Sequence, residues 1–376
     1  MSCRLYFYGF TFVNSDIVRH FLFGGKREIL LFVSFPVPDA VFTGKPLVIA
    51  AVSAYNSSIN SPYDRTGGRP PNGAGRTKQE RKQSQMRYGA LEAGGTKMVC
   101  AVGNEKGEIL EQQSFATKTP EETVPALVEY FKGKEIAALG IGAFGPVDVV
   151  KTSPTYGQIL QTPKLAWRGY NIEKAFSEAL GVPIGMDTDV GGSCLGEVTY
   201  GAAKGLQNVV YITVGTGIGA GIYCNGAMVH GMLHPEAGHM LIRTIKGDPG
   251  KSVCPSHEYC LEGLASGPSI EKRWGKKAAE LKDDSLVWEL ESFYLSQAIA
   301  NFILILSPER IILGGGVMHQ EQLFPMIRKQ VPEMLNGYYD TPALHDMEHY
   351  IVPASLGGDQ GIMGAVRLAE LAYQGK

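Results

Sequence analysis

The sequence predicts an α/β protein built from a duplicated βββαβα unit. Short apolar strands alternate with helical segments, the pattern of sheets covered by helices. Glycine clusters sit at the strand ends. The hairpin segment "LEAGGTKMVCAVGNEKGEIL" is echoed by "ITVGTGIGAGIYCNGAMV" about 120 residues later, as a repeated unit would be.

The elements follow in order from Met86. "RYGALEAGGTKMVCAVGNEKGEILEQQSFAT" reads as three strands turning at "GGT" and "NEKG". "PEETVPALVEYFKG" reads as a helix, with Pro120 and two glutamates in its first turn and Gly133 at its end. "AALGIGAFG" is a buried strand running into a glycine loop, "NIEKAFSEALG" a helix, and "VPIGMDTD" a strand. The second block opens on "NVVYITVGTGIGAGIYCNGAMV", which gives strand, glycine turn, strand, Asn-Gly turn and strand. "DSLVWELESFYLSQAIANFILILS" is a long, largely buried helix and "RIILGGGV" a buried strand ending on three glycines. "DQGIMGAVRLAELAYQ" is a helix able to pack back on the first block.

The 376 residues are 44% hydrophobic and 19% charged, ordinary for a globular chain of about two domains. Residues 1–85 hold 11 Lys/Arg against 5 Asp/Glu, and the rest holds 24 against 32. The acidic body argues against nucleic acid as the main partner. Six cysteines are too few for a disulfide scaffold, which fits a reducing, cytoplasmic setting. No apolar run reaches the roughly 18–20 residues of a membrane span.

Residues 1–85 read as foreign to this pattern. Residues 62–85, "PYDRTGGRPPNGAGRTKQERKQSQ", are basic and rich in Gly and Pro, and cannot bury enough apolar surface to order themselves. Asp16 and Glu28 interrupt any signal-peptide pattern. Residues 1–85 read either as a basic arm or targeting segment or as translated upstream sequence ahead of a natural start at Met86. The second reading is favoured, and the codons for Gln79-Glu80-Arg81, which can form a purine-rich run, agree with it. The expected organisation is a non-native-looking or disordered extension over 1–85 and an N-terminal α/β domain over 86–203, completed by a helix at 357–376. A C-terminal α/β domain with a metal loop spans 204–356.

Glycines at strand turns let backbone N–H groups approach an anion. "EAGGTK" offers Gly94, Gly95 and Thr96, "VGTGIGAG" offers Gly215, Thr216 and Gly217, and "GGGV" opens a helix at Gly314, Gly315 and Gly316. None matches the P-loop or the dinucleotide fingerprint. Three such turns in a duplicated unit predict two hairpins clasping a triphosphate.

"MDTDVGGSCLGE" ends a strand on carboxylates and starts a helix. Two-residue periodicity places Asp187 and Asp189 on one strand face. Phosphoryl transfer to an alcohol wants one carboxylate beside the hydroxyl, worth about 10²–10⁴-fold. A plain helix cap at Asp189 accounts for the spacing equally well. Glu92 is a candidate for contact with Mg²⁺ through water.

Cys254, His257 and Cys260 place three zinc-type ligands in one short polar loop. His230, His234 and His239 are the candidates for a fourth. "HPEAGH" is not the H-E-x-x-H zinc-protease motif, and Pro235 and Gly238 oppose the helix that motif needs. A closed four-ligand site is structural.

From Met86 onward the chain resembles the ROK family of bacterial sugar kinases, and within it the fructokinases. The pieces that carry the resemblance are "EAGGTK", "GIGAFGPVD", "TPKLAW", "TDVGGSCLGE", "VGTGIGAG", "HPEAGH", "CPSHEYCLEGLASGP" and "LGGGV", in that order. The resemblance implies the actin-like ATPase (ribonuclease H-like) fold, two α/β domains around a cleft. It implies transfer of the ATP γ-phosphate to a hexose hydroxyl with Mg²⁺, most specifically to the 6-hydroxyl of fructose. Asp189 is then the catalytic base. Gly94, Gly95, Thr96, Lys97, Gly215, Thr216 and Gly217 bind phosphates, and Gly314, Gly315 and Gly316 lie near the adenosine. Gly145, Glu236, His239 and Glu262 contact sugar, and His239 also joins Cys254, His257 and Cys260 on a structural zinc. A homodimer is implied as well.

The chain departs from the family pattern in places. A histidine takes the middle position of the metal loop, as in one fructokinase branch. Thr188 precedes Asp189 where asparagine is usual, which favours fructose over glucose. Gly191 stands where asparagine is common, and Glu92 where aspartate is. The rival readings are a kinase for glucose, mannose or an N-acetylated sugar, a non-catalytic zinc module, which the retained Asp189 argues against, and a sugar-sensing repressor of the same family. A repressor needs an N-terminal helix-turn-helix, and residues 1–85 show no two-helix pattern.

Overall fold

In the computed structural model, residues 86–376 are described apart from Pro249. Of residues 1–85, only four short strands are described: β1 (Tyr6–Phe7), β2 (Phe10–Thr11), β3 (Arg19–Phe23) and β4 (Lys26–Leu30). The expected disorder of 62–85 lies outside the described residues.

The first block forms β5 (Tyr88–Ala93), β6 (Lys97–Gly103), β7 (Ile109–Ala116), β8 (Leu139–Ala143) and β9 (Ile184–Thr188), in the sheet order β7-β6-β5-β8-β9. The second forms β10 (Val209–Val214), β11 (Ile218–Cys224), β12 (Ala227–Met228), β13 (Arg310–Gly314) and β14 (Ile351–Pro353), in the order β12-β11-β10-β13-β14. Each sheet has the same plan: an antiparallel meander of three strands, then two parallel strands added beside its first. The structure thus contains the repeat that the two hairpins announce. The central strands are largely buried on both faces and mostly apolar, Glu92 at the end of β5 being an exception, whereas the edge strand β7 mixes polar with apolar residues. Asn225 and Gly226 both have positive φ, as the tight β11–β12 turn requires.

Helices α1 (Pro120–Phe131) and α2 (Ile172–Leu180) cover one face of the first sheet. Leu127, Phe131 and Phe176 pack there on Leu91 and Ile141. The Asn171 side chain caps α2 by accepting from the Lys174 N–H at 2.8 Å, and Gly181 closes it in the left-handed conformation. Helices α3 (Asp189–Thr199) and α9 (Gln360–Tyr373) lie on the opposite face, where Ala365, Val366 and Ala369 meet Tyr88, Ala90 and Ala101. The last helix therefore returns to the first block as its sequence suggests.

Two helices of this pair cross with their backbones touching. A β-carbon at Gly364 would overlap the Gly192 carbonyl oxygen. The other side of α3 packs on β11, where Gly219 and Gly221 make room for Val190 and Cys194. Helix α3 is thereby held between the two sheets.

The second sheet is covered by α4 (Leu261–Ala265), α5 (Gly267–Trp274), α6 (Ser285–Leu306) and α7 (Leu323–Leu335), with Trp288, Tyr294, Ile299 and Ile327 in its core. A short α8 (Met347–Tyr350) leads into β14. The glycines of "GGGV" do not open a full helix as expected. Gly314 ends β13, Gly315 turns at φ +90°, a single 3₁₀ turn spans Gly316–His319, and α7 starts at Leu323. No helix among the described residues is long and apolar enough to cross a membrane.

If the α3–α9 crossing fixes the fold, Gly364→Ala must force the helices apart. Its cost is expected at about 1–3 kcal/mol, read from the denaturant midpoint. A midpoint equal to that of the parent chain contradicts this packing.

Candidate active site and metal centre

The carboxyl ends of β5, β8 and β9 carry the acidic residues. Register places Glu92, Gly142 and Asp187 side by side, and Ala93, Ala143 and Thr188 in the next row. The chain then turns into α3 at Asp189. Asp187 and Asp189 are therefore not on one strand face as expected, because the strand stops at Thr188 and Asp189 is already helical. The cap is also not Asp189. Thr188 Oγ1 accepts from the Gly191 N–H at 2.9 Å and fills that role, which leaves the Asp189 carboxylate available.

Asp189 accepts from its neighbour Val190 N–H at 2.8 Å. Burial pushes its carboxyl up to about 6, and the nearby Glu236 charge adds to this, against the Val190 bond and His234. Burial likewise raises Glu92, with Asp189 adding and Lys97 opposing. A carboxyl held near neutrality can take and release a proton under mild conditions.

Around it stand residues from the second block. A β-carbon at Gly145 would lie 3.4 Å from Glu236 Oε1 and 3.4 Å from the His234 ring. Buried His234 accepts the Val147 N–H on Nε2 at 3.2 Å, so its proton is on Nδ1, 3.7 Å from Glu236 Oε1. Glu262 accepts the Ile218 N–H at 2.9 Å, and its other oxygen lies 4.0 Å from His239 Nε2.

The glycine turns fall where the sequence places them. Gly94–Thr96 joins β5 to β6, and Gly215–Gly217 joins β10 to β11. Gly267 N–H donates to Gly215 O at 2.8 Å, and the Gly316 N atom is 3.9 Å from where a Gly215 β-carbon would be. The second hairpin and the "GGGV" turn are thus adjacent. Strand β8, the neighbour of β5, and strand β11 of the second hairpin both reach the start of α3. Gly142, beside Glu92, faces the Asp189 backbone, and Val190 packs on Gly219 just past the second hairpin.

His239, Cys254, His257 and Cys260 come together, their ligand atoms all within 4.8 Å of one another. Cys254 Sγ is 3.7 Å from His239 Nδ1 and 3.6 Å from His257 Nδ1, and Cys260 Sγ is 3.7 Å from His239 Nδ1. A tetrahedral zinc with its usual bond lengths needs S···N edges of about 3.6 Å, so the donor set fits that ion. The other two candidates are engaged elsewhere: His234 with Val147, and His230 Nε2 with Asp187 Oδ2 at 3.0 Å.

The ROK family model matches residues 88–372. The chain belongs to the ROK family. A protein of Bacillus subtilis (strain 168) is 51% identical over 287 residues, covering 76% of this chain and 96% of that one. The fructokinase of Pediococcus pentosaceus is 44% identical over 289 residues, covering 77% and 99%. Among solved structures, a ROK hexokinase from Thermus thermophilus superposes with a TM-score of 0.66 at 25% identity, covering 77% of this chain and all of that one. A ROK glucokinase from Streptomyces griseus, solved with glucose and AMPPNP, gives 0.61 at 26%, covering 76% and 99%. The ROK neighbours share the actin-like ATPase fold that the sequence suggested.

Two features of this ROK chain escaped the sequence reading. His234 stands beside Glu236 while bonding Val147, and its only signal was its place at the head of "HPEAGH". Asp187, almost fully buried, ties β9 to His230 of the second block. The bond to Asp187 raises the His230 imidazole above its ordinary range. A side chain at Gly191 would overlap Asp187 Oδ1, so glycine here leaves room for that tie.

The Asp189 carboxyl is expected to titrate near pH 6 in carbon-13 NMR of the folded chain. Glu236→Gln removes a neighbouring negative charge and moves that midpoint downward. A midpoint near the ordinary value of about 4, or unmoved by Glu236→Gln, contradicts the environment described.

Proposed function

We propose that the chain is an ATP-dependent fructokinase that transfers the γ-phosphoryl group to the 6-hydroxyl of fructose. The observation that carries this is Asp189, spared the capping bond, held near neutrality and set at the start of α3 where β8 of the first sheet and β11 of the second hairpin meet it. Family membership supports it, as do the relatives named fructokinase at 44% and 43% identity.

In this reading Gly94, Gly95, Thr96 and Lys97 hold one side of the phosphates, and Gly215, Thr216 and Gly217 the other. Gly314, Gly315 and Gly316 lie under the adenosine. Backbone N–H groups of the turns meet the phosphate oxygens. Magnesium arriving with the nucleotide would supply charge neutralisation, and Glu92 would be the carboxylate that meets its water shell. Gly145, Glu236, His239 and Glu262 orient the sugar. Asp189 takes the proton of the 6-hydroxyl as its oxygen attacks phosphorus in line. The new O–P bond forms, the bond to the bridging oxygen breaks, and ADP leaves with that electron pair.

Zinc on His239, Cys254, His257 and Cys260 would be structural, since all four positions come from the protein. It would fix His239 beside Glu262, which in turn holds the second hairpin through Ile218. The homodimer stays part of this reading. Fructose is preferred over glucose because Thr188 is spent on the helix cap and offers no amide to a sugar.

Asp189→Asn is expected to lose at least about a hundredfold in turnover while keeping fructose affinity near normal. Activity of the parent chain needs the ionised form, so kcat/KM should fall as pH drops through about 6. Parent-like turnover in the variant refutes the assignment, and a coupled ADP-release assay across hexoses reads both it and the sugar preference. Removing zinc with a chelator should weaken fructose binding several-fold and more than it weakens ADP binding. Unchanged fructose affinity in metal-free protein contradicts the structural role.

A further inference from the structure

The loop "TPKLAW", matched by its sequence but given no role above, delivers a lysine to the first phosphate hairpin. The stem of Lys164 crosses Gly95. A β-carbon there would lie 2.6 Å from Lys164 Cε and 3.6 Å from its Nζ. Gly95 does not have a positive φ, so its lack of a side chain answers to this crossing rather than to backbone conformation. The lysine's backbone is held from several directions. Trp167, 1% exposed, donates its indole N–H to Lys118 O at 2.7 Å and packs on Phe144. The Trp167 N–H donates to Lys164 O at 2.9 Å, and Arg168 Nε donates to Thr162 O at 2.6 Å.

The described lysines that hold a side-chain carboxylate are Lys118, Lys132, Lys134 and Lys174, and Lys164 is not among them. Its half-buried charge is therefore not spent on an internal ion pair. Lys97, the other lysine of the hairpin, stands on the opposite side. It shares a sheet face with Val99, whose cross-strand partner is Glu92, and its charge acts on Glu92. Lys164 comes from the Trp167 side, which packs with Leu91 and Ala93 on the other face.

We infer that Lys164 is a catalytic residue whose ammonium meets the terminal phosphoryl group during transfer. This rests on the kinase reading above. Asp189 and Glu92 bring negative charge to one face of the hairpin, so charge building on the phosphoryl oxygens needs a fixed cation from the other. The proton of the hydroxyl goes to Asp189, the sugar oxygen bonds to phosphorus, and the bridging oxygen departs on ADP.

The test compares Lys164→Met, Lys164→Arg and Gly95→Ala with the parent chain. Lys164→Met keeps the stem and removes the charge. Its turnover should fall about a hundredfold, with fructose affinity unchanged, AMPPNP affinity down about tenfold and ADP affinity within twofold. Lys164→Arg should recover part of the turnover. Gly95→Ala, which displaces the flexible end of the lysine, should weaken AMPPNP more than ADP. Parent-like turnover in Lys164→Met overturns the inference while leaving the kinase reading intact. Equal loss of ADP and AMPPNP, or a lowered Tm with no rescue by arginine, shows a structural role and also overturns it. A parent chain that binds AMPPNP yet phosphorylates no hexose instead refutes the kinase reading, and the AMPPNP-to-ADP comparison then decides Lys164 alone.

Discussion

The seating of helix α3 is the constraint on which the rest depends. It crosses α9 so closely at Gly192 and Gly364 that no side chain fits between, and its other flank lies on β11 through Val190 and Cys194. That contact ties the C-terminal helix, the first sheet and the second sheet to one short element. Whatever sits at the first turn of α3 is placed relative to both glycine hairpins at once. Thr188 takes the capping bond, and Asp189 follows one residue later, partly buried at the first position of the helix. A helix start held by backbone contact on two sides positions a carboxylate more sharply than a loop can.

The electrostatics follow from that position. Asp189 has Glu236 as a neighbour and shares its surroundings with Glu92, so the site is rich in acid before any ligand enters. Such a site favours partners that bring cations, and it raises the proton affinity of its central carboxyl. His234 opposes that rise and adds order. By accepting the Val147 N–H it is committed to one tautomer, and it braces Glu236 against the Gly145 loop. The metal loop does the same for the far side, running from the cysteines through His239 to Glu262 and the second hairpin.

Much of this was legible in the sequence because it rests on local rules. Glycine turns between apolar strands, Asn171 and Gly181 at the ends of α2, and the repeat of one hairpin in the next all depend on short-range chemistry. The metal ligands announced themselves by residue type and spacing. What was not legible depends on contacts far apart in sequence. The role of Thr188 appears only once the strand is seen to stop there, since a period of two continues equally well to Asp189. Strand β14 is three residues long and leaves no periodic signal, whereas α7 repeats its apolar residues at Leu323, Ile327, Val331 and Leu335 despite Pro332. Spacing alone left His230, His234 and His239 open, the family resemblance selected His239, and the structure brings that histidine to the cysteines. Lys164 was hidden in a loop more than sixty residues from the glycine it crosses.

The account is tested most directly by a crystal structure of the chain with fructose and AMPPNP bound together. It predicts the sugar's 6-hydroxyl within hydrogen-bond reach of the Asp189 carboxylate, with the triphosphate between the turns at Thr96 and Thr216. A sugar bound away from Asp189, or a nucleotide that touches only one of the two turns, would contradict it.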